Sequence, residues 1–284
     1  MSYNKLKVGP YNIIGYSRSA KKTGFFIPSL NIVLDAGIQF DGEINLILIT
    51  HGHTDHINQI YPLIKDNNKH PTIITPNRLA LYTQRLLDAF RSITRARNCN
   101  VSHINVCGMN QDSVYTYKRK GREVWKIHCY QMDHGVPCLS YGIHFTSKKL
   151  KDKYQQEIVK FESDKKQIGN YIKSLKQQGL EINQEIELPY LFFGGDTSKE
   201  SLPEIPFELY PHVMIECTFF EEEDYQLSIQ KKHLHWRDLL DYVKIFKTTQ
   251  FILIHFSAKY KMNQLKEYEQ QIHSDGFDNV TFFY

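Results

Sequence analysis

The chain has 284 residues, 41% hydrophobic and 23% charged, which suits a globular protein and excludes disordered and fibrous classes. Its longest aliphatic run, residues 46–49, is far shorter than the roughly 20 apolar residues of a membrane span, so no membrane partner is expected. The net charge is a modest +4, the N-terminus has no secretory signal pattern, and the five cysteines include no C-x-x-C pair. We therefore expect an intracellular protein in the cytoplasm, with the nucleus or an organelle as alternatives.

The first half of the chain is predicted to alternate between short strands and helices. A continuous Leu/Ile run at 45–50 indicates a buried strand, and apolar residues at helical spacing predict helices over 56–65 and 77–94. Strands are predicted at residues 11–15, 24–28, 31–34, 45–50 and 71–75.

The second half is predicted to contain a hairpin, a projecting segment and an alternation of strands and helices. Alternating residues over 114–130 indicate two strands that turn at Lys120-Gly121. Residues 146–186 break this pattern, are rich in Lys and Gln, and are interpreted as an inserted or projecting helical segment. The remaining elements are strands at 190–193, 212–215 and 251–254 and helices at 236–246 and 262–273. One domain with β-rich halves and outer helices is the economical architecture.

The strongest functional signal is Thr50-His51-Gly52-His53-Thr54-Asp55-His56, directly after the buried strand. In extended backbone His51 and His53 project to the same side and can hold one metal ion. Asp55 and His56 are neighbours at a helix start, where successive side chains diverge by about 100 degrees and can reach a second ion. Mixed imidazole and carboxylate ligands favour zinc, with manganese or iron as alternatives.

Three further candidate ligands, His134, Asp196 and His255, each lie just past the end of a predicted strand. Because loops at strand ends converge on a site, we predict that these residues complete the two ligand sets. Six other histidines lack motif neighbours and are expected to be structural or exposed: His70, His103, His128, His144, His212 and His273.

This pattern resembles that of the metallo-β-lactamase-fold hydrolases, and within them ribonuclease Z in its short, plant-type form. The resemblance covers roughly residues 10–260. The matching motifs are Asp133-His134-Gly135-Val136-Pro137, Gly195-Asp196-Thr197, Glu216-Cys217-Thr218-Phe219, His233-Leu234-His235 and His255-Phe256-Ser257-Ala258-Lys259-Tyr260. It implies an α/β fold, a four-layer αββα sandwich in a single domain over residues 1–284, with the Lys-rich insertion at about 146–186.

The resemblance also implies a zinc-dependent endoribonuclease that removes 3′ trailers from precursor tRNA, with two zinc ions per chain. The first ion is held by His51, His53 and His134, the second by Asp55, His56 and His255, and Asp196 bridges them. Asp35 resembles a carboxylate that orients a ligand, although an Asp before Ala36-Gly37 could equally form a turn.

Proton transfer is assigned in the same way. Asp55 would orient or deprotonate the attacking water, and two metal ions would bind the phosphate oxygens. His233 is the candidate proton donor for the leaving 3′ oxygen, with Glu216 holding it in place. His235 is the competing donor, since it lies two residues away on the same face of an extended stretch.

Segregated basic charge suggests surfaces that meet a polyanion, and the resemblance implies that this polyanion is precursor tRNA. Residues 78–97 carry five arginines against one aspartate, residues 118–122 carry four basic residues, and residues 148–176 carry nine lysines. The Lys-rich segment stands where bacterial relatives have a Gly/Pro-rich arm, so its service as a tRNA clamp, through Lys148, Lys149, Lys151 and Lys153, is a hypothesis. The resemblance further implies a homodimer.

Two other functions remain open at this point. A metallo-β-lactamase-fold phosphodiesterase or hydrolase could act on a small molecule, in which case the basic segments would be irrelevant. A catalytically silent RNA-binding or scaffold protein would be expected to have lost metal ligands, and all seven are present.

Overall fold

The structure, a computed structural model, describes residues 3–65, 70–101, 103–119 and 123–284. Its strands form two seven-stranded sheets within these ranges, each ordered by chain position. The first sheet contains β1 (Asn4–Val8), β2 (Tyr11–Arg18), β3 (Lys22–Ile27), β4 (Ile32–Leu34), β5 (Leu46–Leu48), β6 (Thr72–Pro76) and β7 (Asn105–Met109). The second contains β8 (Val114–Lys118), β9 (Val124–Asp133), β10 (Pro137–Leu150), β11 (Asn183–Phe193), β12 (His212–Glu216), β13 (Gln250–Ile254) and β14 (Val280–Phe282).

The helices lie mainly on the outer faces of the sheets. They are α1 (Thr54–Ile57), α2 (Ile60–Lys65), α3 (Asn77–Arg95), α4 (Asp152–Val159), α5 (Lys165–Gln177), α6 (Tyr225–Lys231), α7 (Trp236–Ile245) and α8 (Met262–Ser274). None of those in the described ranges is long and apolar enough to cross a membrane. All five cysteines are free, as expected.

Three apolar clusters make the four layers. Inward-facing residues of both sheets, such as Leu48 and Phe193, fill the space between them. Ile47 and Ile49, which alternate with Leu48, face outward and pack with residues of α2 and α3. The outer face of the second sheet packs on α7 and α8. β5 is buried on both faces, which explains its uninterrupted apolar run. The predicted αββα sandwich is confirmed.

Strand direction determines where the loops converge. β4 to β7 are parallel in the first sheet, and β11 to β14 are parallel in the second. Strands that run in the same direction end at the same edge, so the loops after β4, β5, β11, β12 and β13 gather there. This edge carries the predicted ligands.

The main departure from the predicted elements is a break in the helix expected over 56–65. The backbone N–H of Gln59 donates to Ala36 O at 2.8 Å instead of continuing the helix ladder, so α1 and α2 are separate. Gly37 permits this approach, because a Cβ there would lie 1.8 Å from Asp55 O. The predictions also missed β1 and β14. The predicted turn at Lys120-Gly121, and basic residues 120–122, lie outside the described residues, although β8 and β9 pair antiparallel.

Residues 146–186 do not begin and end as loops. β10 and β11 continue into the segment, pairing in register as far as Leu150 and Asn183. Beyond them α4 and α5 pack with the strand ends around a small cluster of Tyr154, Leu175 and Ile182. The segment is therefore a two-stranded ribbon with two helices at its end. Its description as an insertion into a single domain stays a prediction.

Candidate metal centre

All seven predicted ligands lie at the edge where the parallel strands end. His51 and His53 follow β5, and the short α1 carries Asp55 and His56. The other three follow strands of the second sheet: His134 after β9, Asp196 after β11 and His255 after β13. The structure thus brings both halves of the chain to one site.

The first ligand set is a triangle of imidazoles. The ring centroids of His51, His53 and His134 are 4.7–5.0 Å apart. His53 Nδ1 lies 3.3 Å from His134 Nε2. Asp196 Oδ2 completes the group, at 3.7 Å from His51 Nε2 and 3.6 Å from His134 Nε2.

The second set joins α1 to the loop after β13. His56 Nε2 lies 3.3 Å from His255 Nε2, and Asp55 Oδ2 lies 3.5 Å from each of these nitrogens. Asp196 also reaches this set, since its Oδ1 is 3.4 Å from His56 Nε2 and its Oδ2 is 3.3 Å from His255 Nε2. Asp196 therefore stands between the two sets, in the position of a bridging ligand.

These residues fit a pair of divalent metal ions. Two ligands about 2.0–2.1 Å from a tetrahedral zinc ion lie roughly 3.3–3.4 Å apart, close to the spacings in both sets. His51 Nε2 is buried and has no hydrogen-bond partner among the described residues, as expected of a nitrogen kept for a metal. Nitrogen and carboxylate donors together suit zinc, manganese or iron.

The charges in the site favour a cation. Burial lowers the pKa of His51 well below its ordinary value, so its ring is neutral and carries a lone pair. Burial alone would raise the pKa of Asp196, but the imidazoles of His255, His56 and His51 outweigh it and hold that pKa well below the usual range. Burial likewise disfavours protonated His56, yet Asp196 and Asp35 raise its pKa well above 6.5.

Two hydroxyl groups orient ligands in matching arrangements. Thr50 Oγ1 lies 3.0 Å from His51 Nδ1 and donates to Asp35, which also accepts from His56 Nδ1 at 2.8 Å. At the end of β12, Thr218 Oγ1 lies 3.1 Å from His255 Nδ1 and donates to Glu216. In each case a threonine connects a proposed ligand to a buried carboxylate that holds a second histidine.

The open question about Asp35 is answered by its contacts. Its carboxylate orients His56 and also accepts from the backbone N–H of Thr50 at 2.8 Å. Its φ of +56° is left-handed as well, so the residue forms the turn while orienting the ligand. Another predicted ligand is held by the backbone: His134 Nδ1 donates to Lys232 O at 2.9 Å.

His233 and His235 differ in what their rings can do. His233 Nδ1 donates to Glu216 Oε1 at 2.9 Å, and its ring centroid lies 5.0 Å from that of His134 and 5.3 Å from that of His255. Both nitrogens of His235 are engaged, Nδ1 with the N–H of Arg237 at 3.1 Å and Nε2 with Glu221 O at 3.0 Å. His235 is the N-cap of α7, whereas the ring of His233 lies beside those of the predicted ligands His134 and His255.

Sequence reasoning missed Thr50, Thr218 and the Lys232 carbonyl. The two threonines carried a signal, since each lies within two residues of a predicted ligand or carboxylate. The Lys232 contact comes from the backbone at the end of α6, so no side-chain pattern could indicate it.

Solved structures with the same architecture identify the fold. The metallo-β-lactamase fold protein YhfI from Bacillus subtilis superposes with a TM-score of 0.54 at 14% identity, over 94% of this chain and 92% of that protein. The chain has the metallo-β-lactamase fold. The short form of human tRNase Z also shares this fold, with a TM-score of 0.51 and 12% identity over 86% of this chain and 92% of the human one.

Relatives similar in sequence cover most of this metallo-β-lactamase-fold chain. The tRNase Z TRZ1 of Arabidopsis thaliana is 25% identical over 275 residues, 92% of this chain and 91% of its own. The chloroplastic tRNase Z TRZ2 of the same plant is 27% identical over 267 residues, 90% of this chain and 70% of its own. The chain therefore resembles tRNase Z, as its motifs predicted. No protein-family model matches it.

Proposed function

We propose that the chain is a metal-dependent endoribonuclease that removes 3′ trailers from precursor tRNA. The observation that carries this proposal is the juxtaposition of two ligand sets with a histidine outside both sets, His233, which is hydrogen-bonded to Glu216. The two plant relatives are named tRNase Z and match this chain over nine-tenths of its length, which supports the substrate class.

The metal site would consist of two zinc ions, with manganese or iron as alternatives. His51, His53 and His134 would hold one ion, Asp55, His56 and His255 the other, and Asp196 both. When bound, such ions supply Lewis-acid activation of water and of the scissile phosphate. Thr50, Asp35 and Thr218 hold the Nδ1 atoms of His51, His56 and His255, which leaves Nε2 of each ring as the nitrogen that would coordinate.

Two side chains would handle protons. Asp55 Oδ2 is held by the backbone N–H of Ala20 at 3.1 Å, which fixes the carboxylate where it can orient the attacking water. His233 bonds through Nδ1 to Glu216, and a nitrogen of its ring lies within 4.8 Å of ligand atoms of Asp196 and His255. From there His233 can protonate the leaving 3′ oxygen.

Binding of the tRNA is assigned to basic surface. Three exposed lysines lie on the segment that projects from the second sheet. Lys148 and Lys149 are on the ribbon and Lys153 is on α4. Such lysines can neutralise phosphates without reading sequence, which suits an enzyme acting on many tRNAs.

A homodimer is part of the proposal. Helix α3 exposes three large apolar side chains, Leu81, Tyr82 and Ile93, at 58%, 63% and 78%. Large apolar side chains exposed on one helix would be covered if a second copy packed against it. Analytical ultracentrifugation tests this, and a monomer at micromolar concentration would remove the dimer from the proposal. An intracellular, cytoplasmic location also stays a prediction.

The deciding experiment offers the protein two substrates, a precursor tRNA with a 3′ trailer and a chromogenic phosphodiester. We expect cleavage after the discriminator base that a chelator stops and that is lost in Asp55→Ala. Asp41→Ala, which removes an exposed carboxylate outside both ligand sets, is the matched control and should cut normally. Diester hydrolysis with intact precursor would favour the small-molecule hydrolase, and silence on both substrates would favour the scaffold.

A further inference from the structure

A second cluster of metal-ligating side chains lies on the outer face of the second sheet. His128 on β9, His144 on β10 and Glu187 on β11 place three ligand atoms within 4.8 Å of one another. Along β9 their neighbours Trp125, Ile127 and Cys129 face the inner core, so His128 projects to the opposite side. His128 is six residues from His134, or roughly 20 Å along an extended strand, so this cluster is separate from the centre described above.

The cluster contains a buried nitrogen without a partner. His144 is only 5% exposed, and its Nδ1 has no hydrogen-bond partner among the described residues. That nitrogen points toward Glu187 Oε2, 3.5 Å away, and Oε2 also lies 2.7 Å from His128 Nε2. Burial lowers the pKa of His144 to about 4, so its ring is neutral at pH 7 and can present a lone pair.

The other nitrogen of His144 is held in the way that a metal ligand requires. Its Nε2 lies 2.8 Å from the hydroxyl of Tyr210, which in turn lies 2.9 Å from the hydroxyl of Tyr130. Tyr210 reaches this position over Gly142, where a Cβ would lie 1.8 Å from the phenolic oxygen. If Nε2–H donates to Tyr210, Nδ1 is left unprotonated and aimed at Glu187.

The charges near the cluster accept a cation. Lys126 lies 2.7 Å from the other oxygen of Glu187 and 3.4 Å from Glu185, so its charge is matched by two carboxylates. The lysine thus holds Glu187 by Oε1 and leaves Oε2 for the two histidines. His128 and Glu187 are partly exposed, with side-chain exposures of 26% and 31%, which leaves room for water as a fourth ligand.

We propose that His128, His144 and Glu187 form a further site for a divalent transition metal, with zinc as the best fit. Two imidazoles and one carboxylate are ligands that zinc accepts, and nothing softer than imidazole is present to select copper(I). The site joins β9, β10 and β11 at the root of the ribbon that carries residues 146–186. A bound ion would therefore cross-link the three strands from which that segment projects.

Zinc content measured on gel-filtered protein in zinc-buffered solution tests the site. We expect His128→Gln and Glu187→Gln each to bind one zinc fewer per chain than the wild type. Glu185→Gln is the matched control, because it removes a neighbouring carboxylate that pairs with Lys126 and is not one of the three proposed ligands. Its zinc content should equal that of the wild type. Equal zinc content in all four proteins, or an equal loss in Glu185→Gln, overturns the proposal.

A second measurement needs no substitution in the cluster. Anomalous diffraction at the zinc edge, from wild-type crystals grown with zinc, should show a peak between His128, His144 and Glu187. No peak there, with zinc present between the ligand sets of the main centre, overturns the site. A double variant separates the outer site from the proposed endonuclease. Asp196→Ala disturbs only the main centre, so zinc content is compared between Asp196→Ala alone and Asp196→Ala with Glu187→Gln. A loss of one zinc in the double variant reports the outer site, whether or not the chain cleaves precursor tRNA.

Discussion

The carboxylate of Glu216 accepts a hydrogen bond from Nδ1 of His233 across 2.9 Å. Glu216 is fully buried, and its oxygens also accept from the backbone N–H groups of Thr197 and Leu234 at 2.7 and 3.2 Å. A carboxylate fixed by so many donors cannot follow the imidazole if it moves, so it is His233 that is positioned. One nitrogen of its ring also lies within 4.8 Å of ligand atoms of Asp196 and His255.

Removing His233 should slow catalysis without removing the metals. We expect His233→Ala to slow precursor cleavage by roughly 10²–10⁴-fold, the usual contribution of a general acid, with the metal content unchanged. His235→Ala is the matched comparison: it should cut at nearly the wild-type rate and lose about 1 kcal/mol of stability with the cap of α7. Single-turnover kinetics and thermal melts distinguish the two, and equal rates in both variants would contradict the assignment.

The pH profile should report the Glu216 contact. Burial opposes charge on His233, but Glu216 outweighs it and raises the pKa of His233 to about 9. A proton donor acts below its pKa, so cleavage by the wild type should decline as pH rises through about 9. In Glu216→Gln the largest charge that raises this pKa is gone and burial is opposed mainly by Asp196, so the decline should move to lower pH. Profiles that decline at the same pH in both proteins would exclude His233 as the acid.

The hydroxyl of Thr218 should influence metal affinity from outside the ligand sets. Thr218→Val keeps the shape of the side chain but has no hydroxyl to meet His255 Nδ1, so we expect metal affinity to fall by about 10- to 100-fold. Thr218→Ser restores the hydroxyl and should restore the affinity. Competition against chelators of graded strength measures this, and a valine variant with wild-type affinity would show that the hydroxyl is only packed there.

Exposed lysines of the projecting segment should act on tRNA alone. Exchanging Lys148, Lys149 and Lys153 for Gln should raise the KM for precursor tRNA and reduce the slope of affinity against salt by roughly 1 for each phosphate that is no longer neutralised. Lys151 is left in place because it pairs with Glu181 at 2.9 Å. Hydrolysis of the chromogenic diester should not change. Lys244→Gln, near Asn279 at the opposite strand ends, is the control. Equal losses on both substrates would argue against a clamp.

The fold and the grouping of the ligands could be read from the sequence because both have local signatures. Five of the seven side chains lie within five residues of the end of a strand, and the other two lie on the short helix that follows β5. A run such as Leu46–Leu48 is recognisable by its apolar pattern alone. The resemblance supplied the topology that brings these strand ends together.

Contacts between distant segments were beyond the sequence patterns. The break between α1 and α2 depends on Ala36, which offers its carbonyl to Gln59, and helical spacing carries no trace of it. His144 has no motif neighbours in the sequence and was expected to be structural or exposed. The pairing of β9, β10 and β11 places it beside His128 and Glu187, and the sequence pattern does not show that pairing. Periodicity reports which face a residue occupies and says nothing about its partner on the next strand.

Asp55 and His255 face each other across 3.5 Å although 200 positions separate them in the chain. During synthesis the first 250 residues leave the ribosome without the last imidazole of the second set, and loop closure over such a separation is slow. The second ligand set of the proposed metal centre is complete only when the two sheets have docked. If the chain is the endonuclease proposed above, cleavage of RNA would begin only after β13 and His255 have been synthesised and have joined the first half of the chain.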